Sequence, residues 1–309
     1  MRILRAEHLG MCFGVRDAIA LALKQSHREP ATVLGDLAHN ETVLADLRAQ
    51  GIRIVQQVGA VETGTVIITA HGASEGVKGI VRQRGLHLVD ATCPLVRAAQ
   101  RAVSSLARAG FHPVVVGRRD HVEVRGLTED LEAFDVVLSE ADVFELKERP
   151  RFGVAAQTTQ PIEKVRALAE LIRRRFPASE VRFIDTVCQP TKQRQNAATE
   201  LAQRSDVVIV IGGARSNNTQ ELVHACRRHC PRVHHVQTAG DLREAWFEGA
   251  QTVGLTAGTS TPDACIREIE QWLAGRCGSF GAGCACPGPH PLASASQTLS
   301  RAPSQTVQP

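Results

Sequence analysis

Three cysteines sit where a strand-like run gives way to a helical pattern: Cys12 in HLGMCFGVRDAIALALKQ, Cys93 in GLHLVDATCPLVRAAQRAVSSLARAG and Cys188 in IDTVCQPTKQRQNAATELAQ. A thiol at the first turn of a helix faces unpaired backbone N–H groups and the positive end of the helix dipole, and both favour the thiolate. The thiolate is the form that ligates iron or zinc. Cys93 and Cys188 share an Asp three residues earlier (Asp90, Asp185) and a Pro just after (Pro94, Pro190), a weak internal repeat in which the Pro suits the first helical turn. If three strand ends face one another, three such thiols meet at one centre. A structural zinc wants four ligands, usually with close C-x-x-C pairs, and these three offer none; a 4Fe-4S cluster on three thiolates would leave one iron open to substrate. Spacing alone does not bring the three together.

Other apolar runs end in loops rich in hydrogen-bond donors. His39 and Asn40 follow VLGDLA, His71 follows VIITA, His121 and Glu123 follow VVVGRRD, Ser216, Asn217 and Asn218 follow VVIVIGGAR, and Ser260 follows GLTAGT. Donors before helices, with glycines that let backbone N–H groups approach, describe an anion pocket. Each has a plainer account as a helix cap or turn residue; their joint recurrence favours the pocket. Glu123, in HVEV, is the carboxylate of the set and so its natural proton donor. GLTAGTSTPD is not a dinucleotide fingerprint.

These positions need a frame of alternating elements. ATVLGDL, GTVIITA, HPVVVGR, SDVVIVIGG and QTVGLTAG are short apolar runs, most followed by amphipathic helical patterns. That alternation predicts an α/β protein with parallel sheets covered by helices. The cysteine junctions divide it into three pseudo-repeated units, 1–95, 96–186 and 187–275, followed by a Gly/Ala/Ser/Pro-rich tail over 276–309 that lacks apolar period. Cys284 and Cys286 fall in that tail. Cys226, Cys230 and Cys265 lie inside helical patterns and read as small buried hydrophobes.

Composition narrows the classes. The 309 residues carry 36 Lys and Arg against 32 Asp and Glu, a formal net charge of +4 spread without a basic run, so nucleic acid is not the expected partner. No apolar run reaches membrane-spanning length and the first residues lack a signal-peptide core, which predicts a cytoplasmic protein. Nine cysteines in a reducing compartment argue for metal or chemistry rather than disulfides. With no tyrosine, proton transfer falls to Glu, Asp, His, Lys or a hydroxyl relay.

The chain closely resembles the 4-hydroxy-3-methylbut-2-enyl diphosphate reductases over about Met1 to Ala274. MCFGV, AHNETV, TAHGAS, DATCPLV, HVEV, AAQTT, DTVCQPTKQRQ, GGARSNNTQEL and GLTAGTSTPD occur in the family's order. The resemblance implies a trefoil of three α/β units around one 4Fe-4S cluster ligated by Cys12, Cys93 and Cys188. It implies that His39, His71, His121, Ser216, Asn218 and Ser260 hold or surround the substrate diphosphate, with Asn217 standing where many members have serine. Glu123 matches the proton-delivering acid and Thr158 lies beside the substrate. The implied reaction is reductive dehydroxylation of (E)-4-hydroxy-3-methylbut-2-enyl diphosphate to isopentenyl and dimethylallyl diphosphate, the terminal step of non-mevalonate isoprenoid precursor synthesis, with ferredoxin or flavodoxin as electron donor. Met11 and Val122 depart from the Phe and Pro usual there, and Arg118 and Arg119 add charge near the expected mouth. Two other readings stay in play: a cluster-bearing paralogue acting as a sensor, and a zinc-stabilised phosphatase-like hydrolase. Product formation under reducing conditions separates the first, and metal analysis the second.

Overall fold

The computed structural model describes residues 1–276. Twelve strands occur among them: β1 (Arg2–Arg5), β2 (Ala31–Leu34), β3 (Arg53–Val55), β4 (Thr65–Ile68), β5 (His87–Asp90), β6 (His112–Val116), β7 (Asp135–Val137), β8 (Arg151–Ala156), β9 (Glu180–Phe183), β10 (Val207–Ile211), β11 (Val233–Val236) and β12 (Thr252–Ala257). The helices between them are α1 (Phe13–Ser26), α2 (Glu41–Ala49), α3 (Glu75–Gln83), α4 (Pro94–Arg108), α5 (Val122–Thr128), α6 (Glu140–Phe144), α7 (Ile162–Arg175), α8 (Gln189–Ala202), α9 (Asn217–Arg227) and α10 (Asp263–Ala274).

The strands form three four-stranded sheets, ordered β3-β2-β4-β5, β7-β6-β8-β9 and β11-β10-β12-β1, and every pairing is parallel. Parallel pairing follows from the helical crossovers, and it demands strands buried on both faces. The run Val207–Ile211 meets that demand. Val207, Ile209 and Ile211 pack in one apolar cluster, while Val208 and Val210 face another. Val114 and Val116 are likewise separated from Val115 in the second sheet.

The order is the same three times: the first two strands of a unit lie in reverse, the third and fourth continue outward on the other side. The third sheet completes the pattern with the start of the chain, since β1 pairs with β12 through Arg2↔Thr252 to Arg5↔Leu255. This corrects the expected first unit, 1–95: its opening strand belongs to the third sheet. Arg276, the first residue of the expected tail, bonds Glu244 at 2.7 Å and lies over the Trp272 ring. Residues 277–309, with Cys284 and Cys286, lie outside the described residues. Cys226, Cys230 and Cys265 are buried as expected, but only Cys226 and Cys265 are helical; Cys230 lies three residues past the end of α9. Among the described residues no helix is long and apolar enough to cross a membrane.

The shared topology decides where chemistry can gather. In each sheet the reversal lies between the two central strands, and ligands of open α/β sheets collect beyond the carboxyl ends at such a switch point. The six central strands, β2, β4, β6, β8, β10 and β12, are followed by the loops of His39, His71, His121, Thr158, Ser216 and Ser260. The outer strands β5, β9 and β1 lead to Cys93, Cys188 and Cys12.

Candidate active site

Each of the three cysteines is the residue just before its helix: Cys12 caps α1, Cys93 caps α4 and Cys188 caps α8, all with extended backbone and all half-buried. The shared Asp spacing is a local device. Asp90 Oδ1 accepts the Thr92 N–H at 3.0 Å and Asp185 Oδ1 accepts the Val187 N–H at 3.2 Å, each turning the chain just before its thiol. A basic residue four positions after the thiol then ties the turn: Arg97 donates to the Asp90 carbonyl at 3.0 Å, and Lys192 to Asp185 Oδ2 at 2.7 Å. Before Cys12 the Asp is missing. There Gly10 turns the chain with φ +78°, and its carbonyl accepts two bonds from Arg194, at 3.1 and 2.9 Å.

The thiols act on one another electrostatically. Burial pushes the Cys93 and Cys188 thiols above their ordinary range, and Cys12 and Glu123 push both further. Opposing this, the N–H groups of Leu95 and Val96 favour the Cys93 thiolate, and Thr191 does so for Cys188, its Oγ1 lying 3.1 Å from the sulfur. The first turn of α1 runs against Cys93: a Cβ at Gly14 would sit 2.6 Å from its Sγ. Among the described residues no three His, Cys, Asp or Glu side chains converge tightly enough for a single metal ion.

Three histidines from two sheets form a second cluster. The His39 and His71 rings stack at 4.5 Å, and His121 meets them edge-on at 4.9 and 5.7 Å. Burial lowers all three pKa values, that of His121 to about 3 and that of His71 well below its ordinary value. They are therefore neutral at pH 7. His121 Nδ1 accepts the Glu123 N–H at 3.1 Å, which puts the ring proton on Nε2. His71 hydrogen-bonds the Asp36 backbone, while its buried Nδ1 has no partner.

Glu123, 2% exposed, lies in the first turn of α5. Its Oε1 accepts the Thr158 N–H at 2.6 Å, and the Thr158 side chain also bonds it. Burial outweighs both bonds and raises the carboxyl to about 7, the value a general acid needs near neutral pH.

The third sheet contributes neutral donors. Ser216 caps α9 by accepting the Thr219 N–H at 3.3 Å. Asn218 Oδ1 accepts the Thr259 N–H at 3.0 Å, leaving its buried Nδ2 without a partner, and the buried Ser260 hydroxyl also has none. An orphaned buried donor costs about 1–3 kcal/mol, so these two, like the orphaned His71 nitrogen, mark polar groups open to a further partner. Asn217 differs from its neighbours: its amide donates to Thr159 Oγ1 at 3.1 Å.

The glycines of these loops serve crowding between segments. A Cβ at Gly213 would lie 2.0 Å from the His39 carbonyl oxygen, and one at Gly258 would lie 2.1 Å from Thr219 Oγ1. Two residues outside the expected set join the site. Arg215, next to Ser216, pairs with Asp36 at 3.1 Å and with Glu41, binding the third unit to the His39 loop. Arg194 is buried beside Cys12 and Cys188; it lies on the buried stripe of α8 with Thr191, Ala198 and Leu201, and an arginine on an apolar stripe is the signal that points to it. A cavity of about 840 Å³ opens among the loops, lined by His39, His121, Arg118, Arg215 and Asp36, but by neither Glu123 nor the thiols. It reaches the histidines from outside and is better read as an entrance than as the reaction chamber.

Known proteins supply the comparison. A family model described as "LytB protein" matches residues 3–274. The chain belongs to the LytB protein family. Curated relatives include the 4-hydroxy-3-methylbut-2-enyl diphosphate reductase of Trichlorobacter lovleyi, 40% identical over 272 residues (87% of this chain, 96% of the relative), and that of Pelobacter propionicus, 39% identical over 272 residues (87% and 96%). Among solved structures, the Plasmodium falciparum E-1-hydroxy-2-methyl-but-2-enyl-4-diphosphate reductase superposes with a TM-score of 0.83 at 24% identity, covering 94% of this chain and 95% of that one, which bears on the fold. A second, titled as (E)-4-hydroxy-3-methyl-but-2-enyl diphosphate reductase, the terminal enzyme of the non-mevalonate pathway, gives 0.63 at 34% identity over 89% of this chain and 100% of that one.

The departures from the LytB pattern sit where the fold absorbs them. Val122 is the first residue of α5, a position where Pro and other residues interchange because its N–H needs no helical partner. Met11 packs at the edge of the apolar cluster around Val15 and Ala18, where its flexible side chain fits readily. Arg118 pairs with Asp120 at 2.9 Å on the cavity rim.

Proposed function

We propose that this LytB-family chain reduces (E)-4-hydroxy-3-methylbut-2-enyl diphosphate to isopentenyl and dimethylallyl diphosphate, the terminal step of non-mevalonate isoprenoid precursor synthesis. The observation that supports it best is Glu123: a buried acid with its carboxyl raised to about 7, electrostatically coupled to both Cys93 and Cys188 and lying next in the chain but one to His121.

Cys12, Cys93 and Cys188 would hold one 4Fe-4S cluster. The donor set fits: the first turns of α4 and α8 direct N–H groups at Cys93 and Cys188, Cys12 holds the same place before α1, and a buried guanidinium acts on Cys12 and Cys188. When bound, the cluster supplies electrons singly and an open Lewis-acidic iron for the allylic oxygen. The chain's own residues do the rest. His39, His71, His121, Ser216, Asn218 and Ser260 bind the diphosphate with neutral donors, fixing its geometry and excluding water. Asn217 holds Thr159 and thereby the loop of Thr158. Thr158 orients Glu123 through its N–H and side chain, and Glu123 delivers a proton to the departing hydroxyl, which leaves as water. Two electrons and a second proton, added at one or other end of the allyl unit, complete isopentenyl or dimethylallyl diphosphate. The electrons come from a small protein carrier such as ferredoxin or flavodoxin.

The test is anaerobic turnover of the hydroxylated diphosphate with a chemical one-electron reductant, alongside iron and sulfide counting. Both C5 diphosphate products are expected. A cluster without product would favour a sensor, and free phosphate without reductant would favour a hydrolase.

A further inference from the structure

Four basic side chains stand near the three thiols, and three have carboxylates. Arg16 pairs with Asp263 at 3.9 Å, Arg97 with Asp90 at 3.4 Å and Lys192 with Asp185 at 2.7 Å. Arg194 is different. It is 9% exposed, and the hydrogen bonds of its guanidinium go to neutral carbonyls: Nε and Nη2 to Gly10, Nη1 to Pro190 at 3.1 Å. The groups that act on its charge are Cys12 and Cys188, with Arg16 opposing, and none is a carboxylate.

Burying a cation is costly unless an anion lies close, and a neutral amide could bind the Gly10 carbonyl without that cost. The charge therefore needs a partner, and the groups that act on it favourably are two of the cysteines. As thiols they offer none. As thiolates on an iron–sulfur cluster they belong to a net anionic group that becomes more negative with each electron accepted.

We infer that Arg194 is a charge-compensating positioning residue for the cysteine-bound cluster, holding the Gly10 turn in front of Cys12 and favouring the reduced cluster through its buried positive charge. This rests on the proposed cluster at Cys12, Cys93 and Cys188. A nearby cation stabilises the more negative state, so its removal makes reduction harder. The hydrogen bonds and the charge are separable: Arg194→Lys keeps a cation but not the planar fork, and Arg194→Gln keeps a donor for the carbonyl but no charge.

The experiment compares wild-type protein, Arg194→Lys and Arg194→Gln, purified without oxygen, by iron and sulfide counting and by redox titration followed by electron paramagnetic resonance. For Arg194→Gln the equilibrium constant for one-electron reduction should fall about tenfold, a drop of about 59 mV for a one-electron couple. Arg194→Lys should stay within about twofold of wild type. A Gln variant that folds but fails to load its cluster, with the Lys variant loaded, would support the same role. Equal shifts in both variants, no shift in Gln, or equal loss of the cluster in both would overturn it in favour of a purely structural tie. Wild-type protein without iron and sulfide would instead overturn the cluster reading beneath it.

Discussion

Replacing Glu123 with Gln removes one proton while keeping the shape of the site. The Gln oxygen can still accept the Thr158 N–H now bonded at 2.6 Å. A general acid contributes about 10²–10⁴-fold in rate, so kcat should fall by that factor with KM little changed. The same substitution has a second, independent signature. Burial raises the carboxyl from 4.5 to about 7, so ionising it in the folded protein costs about 3 kcal/mol more than in the unfolded chain. The sign is definite: below about pH 4 Glu123 is protonated in both states and costs nothing; as pH rises toward 7 the unfolded chain ionises first, and stability falls. Gln carries no such penalty. Denaturant melts across pH 4.5–8 should show the variant gaining on wild type with pH, by up to about 3 kcal/mol at pH 8. In turnover, wild-type activity should decline above pH 7 as the acid ionises, and the residual activity of the variant should lack that limb. Near-normal kcat, or a stability difference independent of pH, would refute the assignment of Glu123 as a buried acid.

Other consequences are testable in the same protein. The diphosphate should bind to neutral imidazoles, because burial holds His121 at about 3 and its Nδ1 already accepts the Glu123 N–H; calorimetry at pH 8 in buffers of different ionisation enthalpy should show less than half a proton taken up per diphosphate bound, and uptake of one proton or more would contradict binding by neutral donors. Ser260→Ala should raise KM about 10–100-fold, in line with about 1–3 kcal/mol per lost bond, without lowering the melting temperature, since its hydroxyl has no partner in the folded protein; Asn218→Ala should raise KM similarly but also lower the melting temperature, because its Oδ1 accepts the Thr259 N–H. Gly213→Ala should destabilise by about 1–3 kcal/mol or more and disturb the histidine stack, because its Cβ would lie 2.0 Å from the His39 carbonyl oxygen; a normal melt would contradict the packing described.

The α/β alternation and the helix-capping thiols were legible because both are local: a Val/Ile run such as Val207–Ile211 and a Cys before a helical pattern declare themselves within about twenty residues. Pairing is not local. Consecutive strands are neighbours by default, so the four residues of β1 read as part of the first unit, although their partner lies some 250 positions later in β12. The stacking of His39 on His71, and of His121 against both, depends on loops from two sheets meeting, which spacing does not encode. Glycines before the α9 loop suggested room for a phosphate; at Gly213 the structure shows instead a backbone pressed against the His39 loop. Arg194 escaped notice because an arginine in a polar helix reads as solvent-facing, and only the buried stripe it shares with Leu201 tells otherwise.

The central claim, that three thiols hold an iron–sulfur cluster with one iron left for substrate, is tested most directly by Mössbauer spectroscopy of ⁵⁷Fe-loaded protein before and after adding the hydroxylated diphosphate. One iron site should be distinct from the others and should shift on addition of the substrate. Iron sites that are all equivalent, or a spectrum the substrate leaves unchanged, would contradict it.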